Sequence, residues 1–346
     1  MHRSPVTQTD LARSLGVTPR TISTAFGASG RISAATQRRV LEAAEKYGYR
    51  PNAAARAQRS KRFSQIAMLV RHDLAGFLQN DLNKGAFAAC QSLDLHLVYA
   101  ESEFNRFVKP GEAPKVLREL CVDGMLVHYA WDIPDQSIHA LRSAGVPIVW
   151  VNTRHTENCV YPDDAGGAAK SVQELIRLGH RRIGYLHQAN DTRRVHYSEA
   201  ERLNGYQDAI KDASLTPYTC NVPPPEVATD LQSRVNQYVV ALREHSNVSA
   251  WLCANQRVAN QLLFAALSLG KRVPKDLSVL AFGDAGNRFI TGIPLSVIKV
   301  PMRKVGEAAV KMLSSKIIGY DKVCPSIAIP YSDFDMNSVS PTAGCR

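Results

Sequence analysis

The chain has 346 residues, 45% of them hydrophobic and 21% charged, with a formal net charge of +11. It is too long for one small binding module, so two or three domains are expected. No run of about eighteen apolar residues offers a membrane span, the N-terminus lacks the apolar core of a secretory signal, and the seven cysteines show no Cys-x-x-Cys spacing, so neither membrane, disulfide framework nor zinc site is implied.

The charge is concentrated at one end. Residues 1–62 hold twelve Lys and Arg against three acids, a net of +9, which leaves +2 for everything that follows. A cationic head on a near-neutral body is the footprint of a phosphate-binding domain joined to something else.

Within that head, Val6 to Gly27 reads as two short helices joined by a tight turn. Thr7 can accept from the free amides of the first helix, Asp10 completes a capping box, and Val6 and Leu11 have the spacing of a hydrophobic staple. Gly16 suits the turn because it takes positive φ at little steric cost. Thr18 caps the second helix, whose first residue, Pro19, needs no N–H there, and Val17 with Ile22 repeats the staple. Leu11, Leu15, Ile22 and Phe26 supply a miniature core, with Ala12 small enough for close approach. This is a helix-turn-helix whose second helix is shaped for a DNA major groove.

A third helix is expected from Ser33 as cap to Gly48, with Val40, Leu41, Ala44 and Tyr47 as its inward stripe. The connector from Tyr49 to Arg62 is alanine-rich enough to be helical, yet too short and like-charged to hold a helix alone. It is expected to fold when DNA screens its arginines.

The body alternates short apolar runs with amphipathic stretches. Strands are expected at Ile66–Val70, Leu95–Tyr99, Gly124–Val127, Ile148–Val151, Ile183–Leu186, Trp251–Cys253 and Ser278–Phe282, with helices such as Gly167–Gly179 and Val258–Gly270 between most of them. Strands apolar on both faces and separated by helices imply parallel sheets covered on both sides, more than one for so many strands. Ligands in such folds bind at the carboxyl ends of the strands.

The helix-turn-helix, third helix and the run Tyr47-Gly48-Tyr49-Arg50-Pro51-Asn52-Ala53-Ala54-Ala55-Arg56 resemble the head and hinge of the lactose-repressor (LacI/GalR) family of bacterial transcription regulators. The likeness covers nearly the whole chain, through Val122-Asp123-Gly124, Gly145-Val146-Pro147, Leu178 to Ile183, Arg202 to Tyr206 and Val273 to Val279. It implies an all-α helix-turn-helix head (1–50), a hinge (51–63) and an α/β two-lobed body like a periplasmic binding protein (64–346), with an effector in the inter-lobe cleft. The lobes would comprise about 64–158 with 292–324, and 159–291 with 325–340. The chain would cross between them near Thr153–Asp163, Gly286–Ile298 and Cys324–Ile329.

The resemblance places base-reading positions on Pro19, Arg20 and Thr24, and further DNA contacts on the hinge residues Asn52, Ala55, Arg56 and Gln58. A guanidinium at Arg20 can grip guanine O6 and N7 bidentately, whereas Pro19 offers only apolar contact. Thr7, Thr21 and Ser23 suit phosphates and set register. Members of the family usually carry a leucine wedge where this chain has Gln58. An amide would bend the operator less or read the minor groove at its centre differently; a wedge shifted by one residue is the alternative.

Candidate effector contacts are Phe77, Thr153, Arg202, Asn255, Gln256 and Asp284. Two positions that commonly carry acids are Gln256 and Gly283, so fewer carboxylates remain to hold sugar hydroxyls. With Arg202 less neutralised, a sugar acid or sugar phosphate is the expected effector; a surface ion pair of Arg202 with Glu199 or Glu201 is the alternative. No nucleotide-binding fingerprint or nucleophile constellation points to an enzyme, and neither cofactor nor metal is expected. The expectation is a cytoplasmic repressor of carbohydrate-related genes, binding double-stranded operator DNA as a homodimer. The short tail after Ile329 lacks heptads, which sets the dimer as the limit. A regulator with no small-molecule effector, or a solute-binding protein, are the competing readings.

Overall fold

The computed structural model describes residues 6–27, 32–71, 80–102, 115–119, 121–128, 133–143, 145–188, 196–223, 231–283, 294–319 and 323–342, and separates into two compact units, Met1–Ser64 and Gln65–Arg346.

The first unit holds α1 (Gln8–Leu15), α2 (Pro19–Ala25), α3 (Ala34–Tyr47) and α4 (Ala53–Ser60). Local chemistry sets each boundary. Thr7 and Asp10 form a full capping box, Gly16 closes α1 at φ +65°, and Thr18 accepts from the Thr21 amide at the start of α2. Ser33 and Asn52 cap α3 and α4 in the same way, and Gly48 ends α3 at φ +68°. Leu11, Ala12, Ile22, Ala25, Val40, Ala43 and Ala44 are buried together, with Leu15 and Phe26 against them. Leu41 and Tyr47, expected to face inward, are instead exposed at 42% and 47%. The inward stripe of α3 is Val40, Ala43 and Ala44, and Leu41 lies about 100° around the helix from Val40.

The second unit is built from two parallel-rich six-stranded sheets. In chain order its elements are β1 (Gln65–Arg71), α5 (Asn80–Ser92), β2 (His96–Ser102), α6 (Lys115–Arg118), β3 (Gly124–His128), α7 (Asp135–Arg142), β4 (Ile148–Val151), β5 (Cys159–Pro162), α8 (Asp164–Arg177), β6 (Ile183–Gln188), α9 (Tyr197–Asp212), β7 (Tyr218–Val222), α10 (Leu231–Glu244), β8 (Ala250–Cys253), α11 (Gln256–Ser268), β9 (Ser278–Gly283), β10 (Ser296–Lys299), α12 (Met302–Gly319), β11 (Ile327–Ile329) and β12 (Phe334–Asp335). One sheet runs β11-β5-β4-β3-β1-β2, the other β12-β10-β9-β8-β6-β7. Both faces are covered: Ile66, Met68 and Val70 pack with α5 and α12, whereas Ala67 and Leu69 pack with Val122 and Leu141 on the other side. That alternation is the two-residue period of a strand buried on both faces. Among the described residues no helix is long and apolar enough to cross a membrane.

The second and third lobe crossings fall later than the sequence suggests, and the first falls at the end of its expected range. β5 pairs with β4 and β11, so the first lobe continues to Pro162 and the chain crosses at Asp163. β10 pairs with β9 in the second sheet, and Met302 already packs in the first lobe, which puts the second crossing between Lys299 and Met302. The third lies between Ile329, in the first sheet, and Phe334, in the second. The lobe limits at 158, 291 and 324 are corrected accordingly. β5, β10 and β11 are only three or four residues long, and such strands carry almost no periodic signature of their own.

Candidate DNA interface and effector cleft

On the head, α2 exposes Pro19, Arg20 and Ser23, with Thr21 and Thr24 half-buried. Arg20 makes no hydrogen bond or ion pair among the described residues, so its guanidinium is available. Thr21 Oγ1 lies 3.0 Å from Thr18 Oγ1. Thr7 Oγ1 is already bonded to Asp10 Oδ2 at 2.5 Å, and those bonds with nearby Arg13 keep the Asp10 carboxyl below its ordinary range. Thr7 therefore serves the cap first. The hinge helix α4 exposes Ala55, Arg56 and Gln58, and Asn52 spends its side-chain oxygen on the Ala55 amide at 3.1 Å.

In the body, the carboxyl ends of the strands from both lobes meet around a polar network. Arg202, on α9, donates from Nε to Asp164 Oδ1 at 2.7 Å and from Nη1 to the Ala254 carbonyl at 2.8 Å, and lies 4.2 Å from the Phe282 ring centroid. Tyr331 donates its hydroxyl to the same Asp164 oxygen at 2.7 Å. Burial opposes the charge of Arg202, but Asp164 beside it raises its pKa overall. Arg202 is thus partnered by a buried acid. The surface pairing with Glu199 or Glu201 does not occur; Glu201 pairs with Arg154 at 2.7 Å.

Further contacts tie one lobe to the other. His196, before α9, holds the Asn152 carbonyl at 3.2 Å through Nε2, and Tyr197 donates to Asn152 Oδ1 at 3.3 Å. A carbonyl can only accept, so Nε2 carries the proton and Nδ1 accepts from the Ser198 amide, capping α9. His128, at the end of β3, is half-buried nearby, with its Nε2 shut off from solvent. Burial pushes both imidazoles down to about 4, and for His128 the second histidine adds to the effect.

Of the candidate contacts, Arg202, Asn255 and Gln256 come together, because Arg202 bonds Ala254 immediately before them. Asn255 caps α11 through the Val258 amide at 3.0 Å, and the Gln256 side chain fills the space where Gly283 has no Cβ. Thr153 is half-buried beyond β4, its carbonyl accepting from Cys159 Sγ at 3.0 Å. Phe77 and Asp284 lie outside the described residues. Sequence reasoning missed Asp164, His128, His196 and Tyr331. Only Asp164 leaves a trace, as the neighbour of Asp163 in an acidic pair, and Asp163 caps α8. Three buried polar atoms of this region, Asp164 Oδ2, His128 Nε2 and Tyr185 Oη, have no hydrogen-bond partner among the described residues.

Two half-buried histidines held neutral make stability depend on pH. Their folded pKa lies below the ordinary 6.5, so the unfolded chain binds more protons between those values. The contribution is whole above about pH 6.5 and is lost as pH falls toward 4, at about 1 kcal/mol per unit for each histidine. Urea midpoints are expected to drop over that window, and His196→Asn to flatten the slope. An unchanged slope in both His196→Asn and His128→Asn would reject this assignment.

A basic helix-turn-helix head, together with a two-lobed α/β body whose strand carboxyl ends meet at a buried polar network, defines a DNA-binding transcriptional regulator. Residues 7–52 match the bacterial regulatory proteins of the lacI family, and residues 172–331 a periplasmic binding protein-like domain. The head is thus similar to the lacI-family DNA-binding domain and the body to a periplasmic binding protein-like domain. It is 26% identical to the HTH-type transcriptional regulator IpsA of Corynebacterium glutamicum over 90% of this chain and 92% of that protein. It is 25% identical to the maltose regulon regulatory protein MalI of Escherichia coli, over 94% and 96%. These relatives are regulators, not enzymes. The fold matches the lac repressor dimer bound to operator and the anti-inducer ONPF (TM-score 0.72, 23% identity, 97% of this chain and 100% of that one). It also matches the transcriptional regulator CelR–cellobiose complex (TM-score 0.63, 22% identity, 97% and 100%).

Proposed function

We propose that this regulator represses carbohydrate-related genes as a cytoplasmic homodimer on a near-palindromic operator, under the control of a small sugar-derived effector in the inter-lobe cleft. What supports the effector reading is the polar network at the strand carboxyl ends, with Asp164 Oδ2, His128 Nε2 and Tyr185 Oη shut off from solvent and without a hydrogen-bond partner among the described residues. Buried polar atoms left unpaired cost about 1–3 kcal/mol each, so a ligand bearing hydroxyls that reaches them as the lobes part gains their hydrogen bonds. An anionic effector would call for an Arg202 without a counter-charge. Asp164 supplies that charge, so a neutral polyhydroxyl ligand is the better fit. The solved neighbours holding ONPF or cellobiose support the same class.

Arg20 and Thr24 read bases, Pro19 offers apolar contact, and Thr7, Thr21 and Ser23 face phosphates. Asn52, Ala55, Arg56 and Gln58 engage the operator centre once the hinge helix is in place. Exposed Val240, Phe264 and Leu267 on α10 and α11, with Phe87 on α5, support a dimer surface on both lobes.

The test is a thermal-shift screen against neutral sugars, sugar acids, sugar phosphates and purines. A ligand at about 100 times its Kd adds roughly 2.7 kcal/mol, and His128→Asn is expected to remove most of it. No stabilisation by any class would reject effector control by these compounds. For the hinge, Gln58→Leu is expected to increase the operator bend and to shift the preferred central base step by a few-fold in affinity. Bend angles from fluorescence transfer and selection of central steps measure both, and no change in either refutes the role of Gln58.

A further inference from the structure

The helix that carries Arg20 is short and lightly anchored. α2 has seven residues, of which Ile22 and Ala25 are buried in the small core shared with α1 and α3. Two apolar anchors three residues apart lie on one face. They fix where the helix sits but resist its rolling about its own axis only weakly. A roll of about 10° moves a side-chain tip, at an outer radius of about 5–6 Å, by about 1 Å. The working range of a hydrogen bond is about 0.5 Å wide, so such a roll is enough to lose a base contact.

Polar ties from the neighbouring helices hold α2 at both ends. From α1, Gln8 Nε2 donates to the carbonyl of Pro19, the first residue of α2. A carbonyl has two lone pairs, so Pro19 can accept this bond beside the helical one. From α3, Gln37 Nε2 donates at 3.2 Å to the carbonyl of Ala25, the last residue of α2. A helix leaves its last four carbonyls without intrahelical donors, and the Gln37 amide meets one of them. A third tie, from Arg39 Nη2 to the Leu15 carbonyl, joins the end of α1 to α3. The three bonds link separate helices across 11, 12 and 24 residues, so they set how the helices lie together rather than where each one starts.

We propose that Gln8 and Gln37 are positioning residues for base readout, whose amides lock the roll of α2 and thereby aim Arg20 and Thr24 at the base edges. Contacts of this kind need a supporting shell that holds them within about 0.5 Å. This role rests on the reading of Arg20 as a base contact.

Gln8→Met and Gln37→Met keep side-chain length and remove the donor. Full-length variants are titrated with an operator selected from a random library by the parent, with its single-base variants, and with scrambled duplex. Arg20→Ala in the same assay marks the base pair that Arg20 reads. Each Met variant is expected to lower the preference at that pair at least fivefold, while scrambled duplex is bound within twofold of the parent. Gln37→Lys keeps a donor of similar reach and is expected to restore the preference. Preference unchanged in both Met variants overturns the proposal. So does a fall in affinity for selected and scrambled DNA alike with the preference intact, which is the mark of a merely structural role. A change in Gln8→Met alone makes Gln8 a direct DNA contact and overturns the pairing with Gln37. Preference left whole by Arg20→Ala removes the base-reading premise, and the positioning role with it.

Discussion

Arg202→Ala is expected to destabilise the body by about 3–5 kcal/mol, the usual consequence of removing one partner from a buried ion pair. Asp164 has no exposed surface, and its Oδ1 is shared between Arg202 Nε and the Tyr331 hydroxyl, each at 2.7 Å. Without the guanidinium that carboxylate keeps a single hydroxyl donor, the Ala254 carbonyl loses its partner, and the face of Phe282 is uncovered. At about 2–3 °C per kcal/mol for a body this large, melting should fall by roughly 6–15 °C. Pairing Arg202→Met with Asp164→Asn removes both charges and is expected to recover most of the loss, since a buried pair often contributes little over apolar packing. A melting point for Arg202→Ala within about 1 °C of the parent would show that the pair is not structural. The consequence reaches the ligand question: lost fold and lost effector binding look alike in an Arg202 variant. Substitutions of His128 or Gln256 separate the two.

Arg20→Ala is expected to weaken operator binding by about 2–6 kcal/mol in the proposed dimer, because each half-site loses a bidentate contact of about 1–3 kcal/mol. That is a drop between about thirtyfold and twenty-thousandfold, with relaxed preference at one base pair per half-site. Arg20→Lys keeps the charge without the planar fork, so it should restore affinity more than selectivity. Titration of an operator selected from a random library, and of its single-base variants at several salt concentrations, reads both quantities. Uniform weakening across all variants, with base preference intact, would make Arg20 a phosphate contact instead.

The cleft was only half legible. The Arg202 position was found from the family motif, but its partner was sought among Glu199 and Glu201 because they are close in the chain. The geometry on α9 sends the guanidinium inward to Asp164, where burial strengthens the attraction, and leaves Glu201 to Arg154. His128 and His196 carry no motif at all. They matter because two strand ends and a helix start bring them together, and no local pattern records that.

Likewise, the sequence alone marks β5, β10 and β11 as crossing segments, because strands this short have too few residues to display a period of two. What assigns them to a lobe is hydrogen bonding to a strand already in that sheet.

What the sequence determined by itself is the head and the alternation of the body. Caps at Thr7, Thr18 and Ser33, left-handed glycines at Gly16 and Gly48, and apolar strand runs act over a few residues, so they are written in the order of the chain. What only the tertiary structure decided is where the lobes exchange the chain and how the charges in the cleft cancel. Arg202 meets Asp164 across 38 residues, and Tyr331 meets it across 167. Such pairings are set by the packing of two sheets and the desolvation of the groups between them, which no local spacing encodes.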